Sequence, residues 1–382
     1  MIGLAFFGFL VGSASIYWLI PRQQIRTVFL SAVSLVFISL NDRWATVVVV
    51  ALSVYAYGMG KVIGRTQKPV YHRLGVVGLV LVLVVFKYLG LLEETFNGLS
   101  RCIQSLPTFH IDYLILPLGI SYITFKFISY LTDIHWNIIR PGNLLEVLCY
   151  GSLFTIFVAG PIERFERLVP QLHEPASRFS WAHVDGGLQR IAFGMFKKFV
   201  VADWIGHFTS PVWRDPGAYN TGMRALALLG YSIQIYLDFA GYSDIAIGGS
   251  RFFGLRIMEN FDWPYLQPNI TQFWRHWHIS LSDWIRDYLF FPLSRVSRNK
   301  PWNLIVVPLI AMGLCGLWHG AAPNFVAWGL WHGAGIAALQ VWNSQKRSHP
   351  TLRILAENSI SNVIAVAATF AFVTIGWMWF RG

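Results

Sequence analysis

The hydrophobic positions of this 382-residue chain fall into long continuous runs separated by short polar stretches. The runs lie near 3–20, 27–40, 44–58, 75–92, 113–131, 144–160, 187–206, 223–248, 303–317, 321–342 and 361–380. A helix needs about 20 apolar residues to cross a bilayer. The pattern therefore predicts an all-α polytopic membrane protein with about eleven transmembrane or partly spanning helices. The shorter runs are expected to tilt, to span half-way or to pack inside the protein. An outer-membrane barrel is excluded, because the runs do not alternate with period two. No linker, low-complexity tract or long-period repeat interrupts the chain, so 1–382 reads as a single membrane domain. GLWHG occurs at 316–320 and again at 329–333, a spacing too short for a structural repeat, and is read as two similar helix positions.

Polar residues between the runs set orientation. Arg22 and Arg26 follow the first run, and Lys61, Arg65, Lys68 and Arg73 follow the third, whereas only Asp42 and Arg43 separate the second and third. The positive-inside rule puts both basic loops in the cytoplasm and the N-terminus outside. The first twenty residues lack a basic n-region and a small-residue cleavage site, and are expected to remain as a helix. Two stretches, 161–186 and 259–300, are too polar for ordinary spans, and the second is expected to be an amphipathic or re-entrant region.

Composition sharpens this picture. Hydrophobic residues make up 55%, aromatics 16% and charged residues only 13%, against about 25% charged in soluble domains. That excludes a soluble enzyme, a disordered chain and a collagen-like protein. The net charge of +11 is assigned to cytoplasmic loops and anionic headgroups, since no basic block has the length of a nucleic-acid-binding run. Three scattered cysteines give neither a zinc signature nor a disulfide framework.

Candidate chemistry concentrates in 260–293, NFDWPYLQPNITQFWRHWHISLSDWIRDYLFFPL. A helix over 272–290 is expected, capped by Thr271 and bounded by Pro268 and Pro292. Helical spacing would sort it into an aromatic stripe (Trp277, Leu281, Trp284, Tyr288), a polar stripe (His276, Ser280, Asp283, Asp287) beside Arg286, and a third face with His278 and Ser282. Two readings stay open: an interfacial helix, or a helix lining a polar funnel. His319 ends an apolar run between Gly316 and Gly320. It is a candidate catalytic residue, because ionisable groups at membrane depth are costly, or else a buried hydrogen-bonded histidine. His332 has the same local sequence inside a longer run and is read as structural. Asp238 and Asp244 lie in apolar surroundings and need partners, either a histidine, an arginine such as Arg275 or Arg286, or a structural ion pair. Nucleophile-elbow, Walker A and dinucleotide signatures are missing. His276 and His278, two apart on a helix, would point about 200° apart and would not share a metal.

Read in order, LPLGISYITFKFISYLTD (116–133), AGPIERF (159–165), YLDFAGYSDIAIG (236–248), MENFDWPY (258–265), FWRHWHISLSDWIRDYLFFPL (273–293) and GLWHGA (316–321) resemble the membrane-bound O-acyltransferase superfamily. The closest likeness is to the branch that contains the alginate O-acetyltransferase membrane subunit. The resemblance implies a helix bundle around a central funnel that moves an acyl group to a hydroxyl. The family's essential histidine, in its WHG motif, maps to His319, and a second, in WHIS, maps to His278. Histidine suits this chemistry, since its pKa near 6.5 lets it take a hydroxyl proton as the oxygen attacks a thioester. His319 is expected to be base or acyl relay, with His278 orienting and Asp238, Asp244, Asp287, Arg286 and Ser282 as the supporting polar network. The resemblance also implies a cytoplasmic thioester donor, acetyl-CoA, with no tightly bound cofactor and no metal. It implies a bacterial inner-membrane location and a periplasmic SGNH-type partner that completes O-acetylation of a secreted polysaccharide. D-alanyl transfer to teichoic acids, or a non-catalytic channel or scaffold, are the alternatives. Two departures stand out: PLSRVSRNKPWN (292–303) replaces the branch's Gly-Gly-Asn-Arg turn, and the chain ends at GWMWFRG (376–382) where alginate-type members continue. A short or truncated member is expected.

Overall fold

A computed structural model describes residues 3–102, 116–173, 179–296, 300, 302–348 and 359–381. The described residues are helical and contain no strand; one isolated antiparallel bridge joins Phe261 and Trp277. The helices are α1 (Leu4–Leu19), α2 (Gln23–Asn41), α3 (Arg43–Thr66), α4 (Pro69–Cys102), α5 (Ile120–His135), α6 (Leu144–Ser152), α7 (Phe165–His173) and α8 (Trp181–Met195). They continue with α9 (Asp203–Arg214), α10 (Thr221–Arg251), α11 (Ile270–His276), α12 (Ile279–Ile285), α13 (Phe291–Val296), α14 (Asn303–His319), α15 (Pro323–Ser348) and α16 (Ser359–Arg381). Among the described residues, four stretches are long and apolar enough to cross a membrane: Gln23–Asn41, Arg43–Thr66, Pro69–Leu89 and Ser361–Arg381. The expected spans near 3–20 and 303–317 are the shorter apolar helices α1 and α14. Contacts divide the chain into two compact units, Met1–Arg190 with Ala246–Met258, and Ile191–Ile245 with Glu259–Gly382.

In the first unit α3 shows how the local code works. Asp42 caps it by accepting from the Ala45 amide at 3.0 Å, and its other oxygen accepts from Leu118 N at 3.0 Å. Val49, Leu52, Ala56 and Ile63 recur at helical spacing and are buried against α5 and α6. Val47, Val50 and Val54 on the opposite face are exposed, as a helix facing lipid tails requires. Gln67, in the left-handed region at φ 51°, ends the helix.

One expected span is corrected here. The apolar run 144–160 is helical only through α6, which opens with a reciprocal Asn143–Glu146 capping box. Its remainder, 153–160, is a run of turns with Leu153, Phe154, Ile156 and Phe157 buried. Its hydrophobicity serves interior packing, which an apolar run cannot distinguish from spanning. The next residues form a rigid knot around Glu163, which is fully buried. Its carboxylate accepts from Arg164 N (3.0 Å), Arg167 Nε (3.1 Å) and Met258 N (2.7 Å).

The expected run 187–206 is helical throughout, with a π-helical stretch, Phe196–Ala202, joining α8 to α9. The pair α14–α15 packs backbone on backbone. A Cβ built on Gly316 would lie 2.1 Å from Phe325 O, and one on Gly329 would lie 2.2 Å from Met312 O. The first glycines of the repeated GLWHG thus face one another, which explains the echo as two halves of one helix contact.

Candidate active site

The segment expected as one helix over 272–290 is broken, and the break positions the site. Asn269, not Thr271, caps α11, accepting from Gln272 N at 2.9 Å. The helix stops at His276. His278 then takes φ 43°, ψ 55°, a left-handed conformation that non-glycine residues seldom adopt, and starts α12. A π-helical stretch, Arg286–Phe290, follows α12 before α13. A straight helix would have swung His278 around by helical increments; the turn instead buries it, at 2% exposed.

The turn is held from the preceding loop. Asn260, itself buried, accepts at its backbone carbonyl from Ile279 N (2.9 Å) and at Oδ1 from Ser280 Oγ (2.9 Å), while its Nδ2 donates to Ser243 Oγ (3.1 Å). Asp262 N donates to His276 O at 3.0 Å, completing an antiparallel clasp around Trp277. Trp277 packs on Phe273 at 5.5 Å and on Trp377 at 4.9 Å. Asn260 was not singled out from the sequence; a lone amide among the apolar and aromatic residues of MENFDW was the available signal.

His278 packs edge-on against Phe239, with ring centroids 4.7 Å apart, and 6.2 Å from Trp318. Its Nε2 is buried with no hydrogen-bond partner among the described residues. Burial, and secondarily the charge of nearby His319, hold its pKa well below 6.5, so it is neutral at pH 7. His319 is the last residue of α14 and is half-buried. Gly320 continues in extended conformation at φ −168°. The His319 ring lies 4.7 Å from Trp318, 5.1 Å from Trp328 and 5.0 Å from Phe380. The two candidate histidines, forty-one positions apart in the chain, therefore reach one neighbourhood.

The supporting polar residues divide differently from the expectation. Asp244 pairs with Lys197 at 2.7 Å and Asp238 with Lys198, so lysines of the π-helical stretch take the place expected for Arg275 or Arg286. Arg286 is gripped instead by Asp283 and Asp287, with Nε to Asp287 Oδ1 at 2.9 Å. Burial works against its charge, but the Asp287 hydrogen bond and the Asp283 charge outweigh it and raise its pKa. Ser280, expected on a polar stripe with Asp283 and Asp287, is buried on Asn260. Ser282 Oγ donates to Trp277 O at 2.9 Å, bracing the turn. A cavity of about 200 Å³ is lined by Ser282, Asp283, Arg286, Arg275, Met312 and Gln340 among others, and by neither histidine. His332 is wholly buried among the rings of Phe273, Trp274, Trp328, Phe372 and Trp377, 5.0 to 6.3 Å away. No group of three or more metal-ligating side chains occurs among the described residues.

Residues 30–377 match the membrane-bound O-acyltransferase family, and the chain belongs to it. It is 34% identical over 378 residues to the probable alginate O-acetylase of Azotobacter vinelandii, covering 96% of this chain and 71% of that protein. It is 31% identical to the peptidoglycan O-acetyltransferase of Helicobacter pylori, covering 86% and 66%. With the teichoic acid D-alanyltransferase of Streptococcus thermophilus it shares 29% over 76% of this chain and 71% of the other. It is thus a polytopic membrane O-acyltransferase.

Proposed function

We propose that this protein transfers an acetyl group from a cytoplasmic thioester, acetyl-CoA, toward a hydroxyl of a secreted polysaccharide, with His319 as the reacting base or acyl relay. The observation that carries this reading is that His278 and His319, from separate helical elements, both pack on the Trp318 ring, at 6.2 and 4.7 Å. In the base form of the reaction, His319 removes the hydroxyl proton as the oxygen attacks the thioester carbonyl. The C–O bond forms, the C–S bond breaks, and the departing thiolate takes the proton back from the imidazolium. His278, neutral and without a hydrogen-bond partner at Nε2, supplies an uncharged imidazole beside it. A positioned base contributes about 10²–10⁴-fold; alignment and charge stabilisation must supply the rest.

Asp238 and Asp244 act through their lysines, and Ser282, Arg286 and Asp287 through the bracing of 277–290; these are positioning residues. The location is the bacterial inner membrane, with the basic loops and the donor on the cytoplasmic side, and a periplasmic SGNH-type protein completes transfer to the polymer. No tightly bound cofactor is required. The test is ester-linked acetate on the host's secreted polysaccharide in wild type, a deletion strain, and the deletion complemented with wild-type or His319→Ala protein at matched membrane levels. Loss on deletion, restored by wild type and not by the variant, is expected. Unchanged acetate after deletion would overturn the reading. D-alanyl transfer is the second reading, favoured by the D-alanyltransferase relatives; it predicts loss of ester-linked D-alanine instead.

A further inference from the structure

The first unit contains a second, quite different cavity, of about 330 Å³. Among the described residues its walls carry three arginines, Arg26, Arg167 and Arg256, together with His183 and Gln23, and no carboxylate, although Arg167 Nε reaches behind the wall to Glu163 at 3.1 Å. Arg26 decides what this cavity is for. Its side chain is 7% exposed and lies over the faces of Tyr17 and Trp18, at 5.2 and 4.9 Å. Its Nε donates to Ile20 O at 2.7 Å. Its two terminal nitrogens have no hydrogen-bond partner, and no acidic side chain pairs with it, among the described residues. A buried guanidinium is costly unless an anion pairs with it, and two aromatic faces recover only part of that cost.

The surrounding frame is rigid. Gln171 clamps Arg256 by its backbone, accepting from Arg256 N at 2.8 Å and donating to Arg256 O at 3.1 Å, which leaves the Arg256 side chain at the cavity. Trp18 is fixed by donating to Phe252 O at 2.7 Å and stacks against His183. His183 Nδ1 and Gln23 Oε1 are buried atoms without hydrogen-bond partners among the described residues. Beyond the lining residue Trp18, Phe179 lies 5.7 Å from its ring, and Trp181, 5.1 Å from Phe179, is 75% exposed. Exposed Trp next to basic residues marks headgroup depth in a bilayer.

We propose that this cavity binds the phosphate ester of an anionic phospholipid headgroup. Planar guanidinium groups match phosphate oxygens two at a time. The volume takes a phosphate with a small hydroxylated head, whose hydroxyls find acceptors at Gln23 Oε1. The site is independent of the acyl-transfer assignment, since it shares no residue with the histidine cluster. A nucleotide phosphate has the same chemistry, and the experiment separates the two.

The full chain, in nanodiscs of phosphatidylcholine, is titrated with dihexanoyl-phosphatidylglycerol, dihexanoyl-phosphatidylcholine and adenosine 3′,5′-bisphosphate, with binding read by native mass spectrometry. Phosphatidylglycerol is expected to bind and the other two not. Arg256→Gln, whose backbone clamp survives the change, should weaken it about tenfold, the value of one charge-assisted hydrogen bond. Arg22→Gln, an equal loss of charge outside the cavity, should leave it unchanged; Arg26→Lys should weaken it as Arg256→Gln does. Equal binding of both lipids, or equal effects of Arg256→Gln and Arg22→Gln, would overturn the site. Binding of the bisphosphate in preference to the lipid would overturn the headgroup assignment.

Discussion

Trp-His-Gly occurs at 318–320 and at 331–333, and the two copies live in opposite surroundings. His319 ends α14, half-buried, where the chain turns extended at Gly320. His332 sits inside α15 with no exposed surface, neither ring nitrogen has a hydrogen-bond partner among the described residues, and Gly376 packs so closely that a Cβ there would lie 2.9 Å from Nε2. One ring, Trp328, touches both, at 5.1 Å from His319 and 5.0 Å from His332. The tripeptide therefore does not fix its own surroundings: one histidine closes a helix, half-buried, and the other fills an aromatic box in mid-helix.

The sharpest way to break this contrast is His319→Ala, assayed as acyl transfer from radiolabelled acetyl-CoA in proteoliposomes. A fall of about 10²–10⁴ is expected with unchanged thermal melting; retained activity would erase the distinction between the copies. Next comes Gly329→Ala, which forces a methyl into the Met312 carbonyl. It should cost about 1–3 kcal/mol, seen as a lower melting temperature and less folded protein. A third test uses acidity. The His278 pKa is lowered in the fold, so the unfolded chain binds the proton more readily and stability falls as pH drops below about 6.5. His278→Asn, which tolerates the left-handed turn, should remove up to about 1.4 kcal/mol per pH unit of that slope, measured by melting between pH 8 and 5. The smallest effect belongs to His332→Phe. Replacing an unsatisfied buried imidazole by a ring of similar shape should leave stability within about 1 kcal/mol of wild type, or raise it, and transfer should persist.

Periodicity and hydropathy made α2, α3 and α16 legible in the sequence, because spanning helices are dictated by local composition. Residues 153–160 were not, since an apolar run packed inside the protein reads like one packed in lipid. The resemblance singled out His319 and His278, yet the break that buries His278 left no glycine or proline to announce it; the backbone is held there by Asn260, eighteen positions upstream. Lys197 and Lys198 were visible as two adjacent cations in an apolar run, but pairing them with Asp244 and Asp238 required the fold.

The π-helical stretch Arg286–Phe290 carries a consequence for remodelling the chain. A π turn is an α-helix with one residue too many, so removing a single residue there would let the helix re-zip as α. Everything after it would then rotate by about 100° and shift by about 1.5 Å. Arg286 would lose its simultaneous hold on Asp283 and Asp287, and Phe290 and Phe291 would leave the wall they share with Met312. A one-codon deletion at this point is therefore a rotary adjustment of the motif, far more disruptive than any single substitution nearby, and an insertion already tolerated is what gives the segment its present aim.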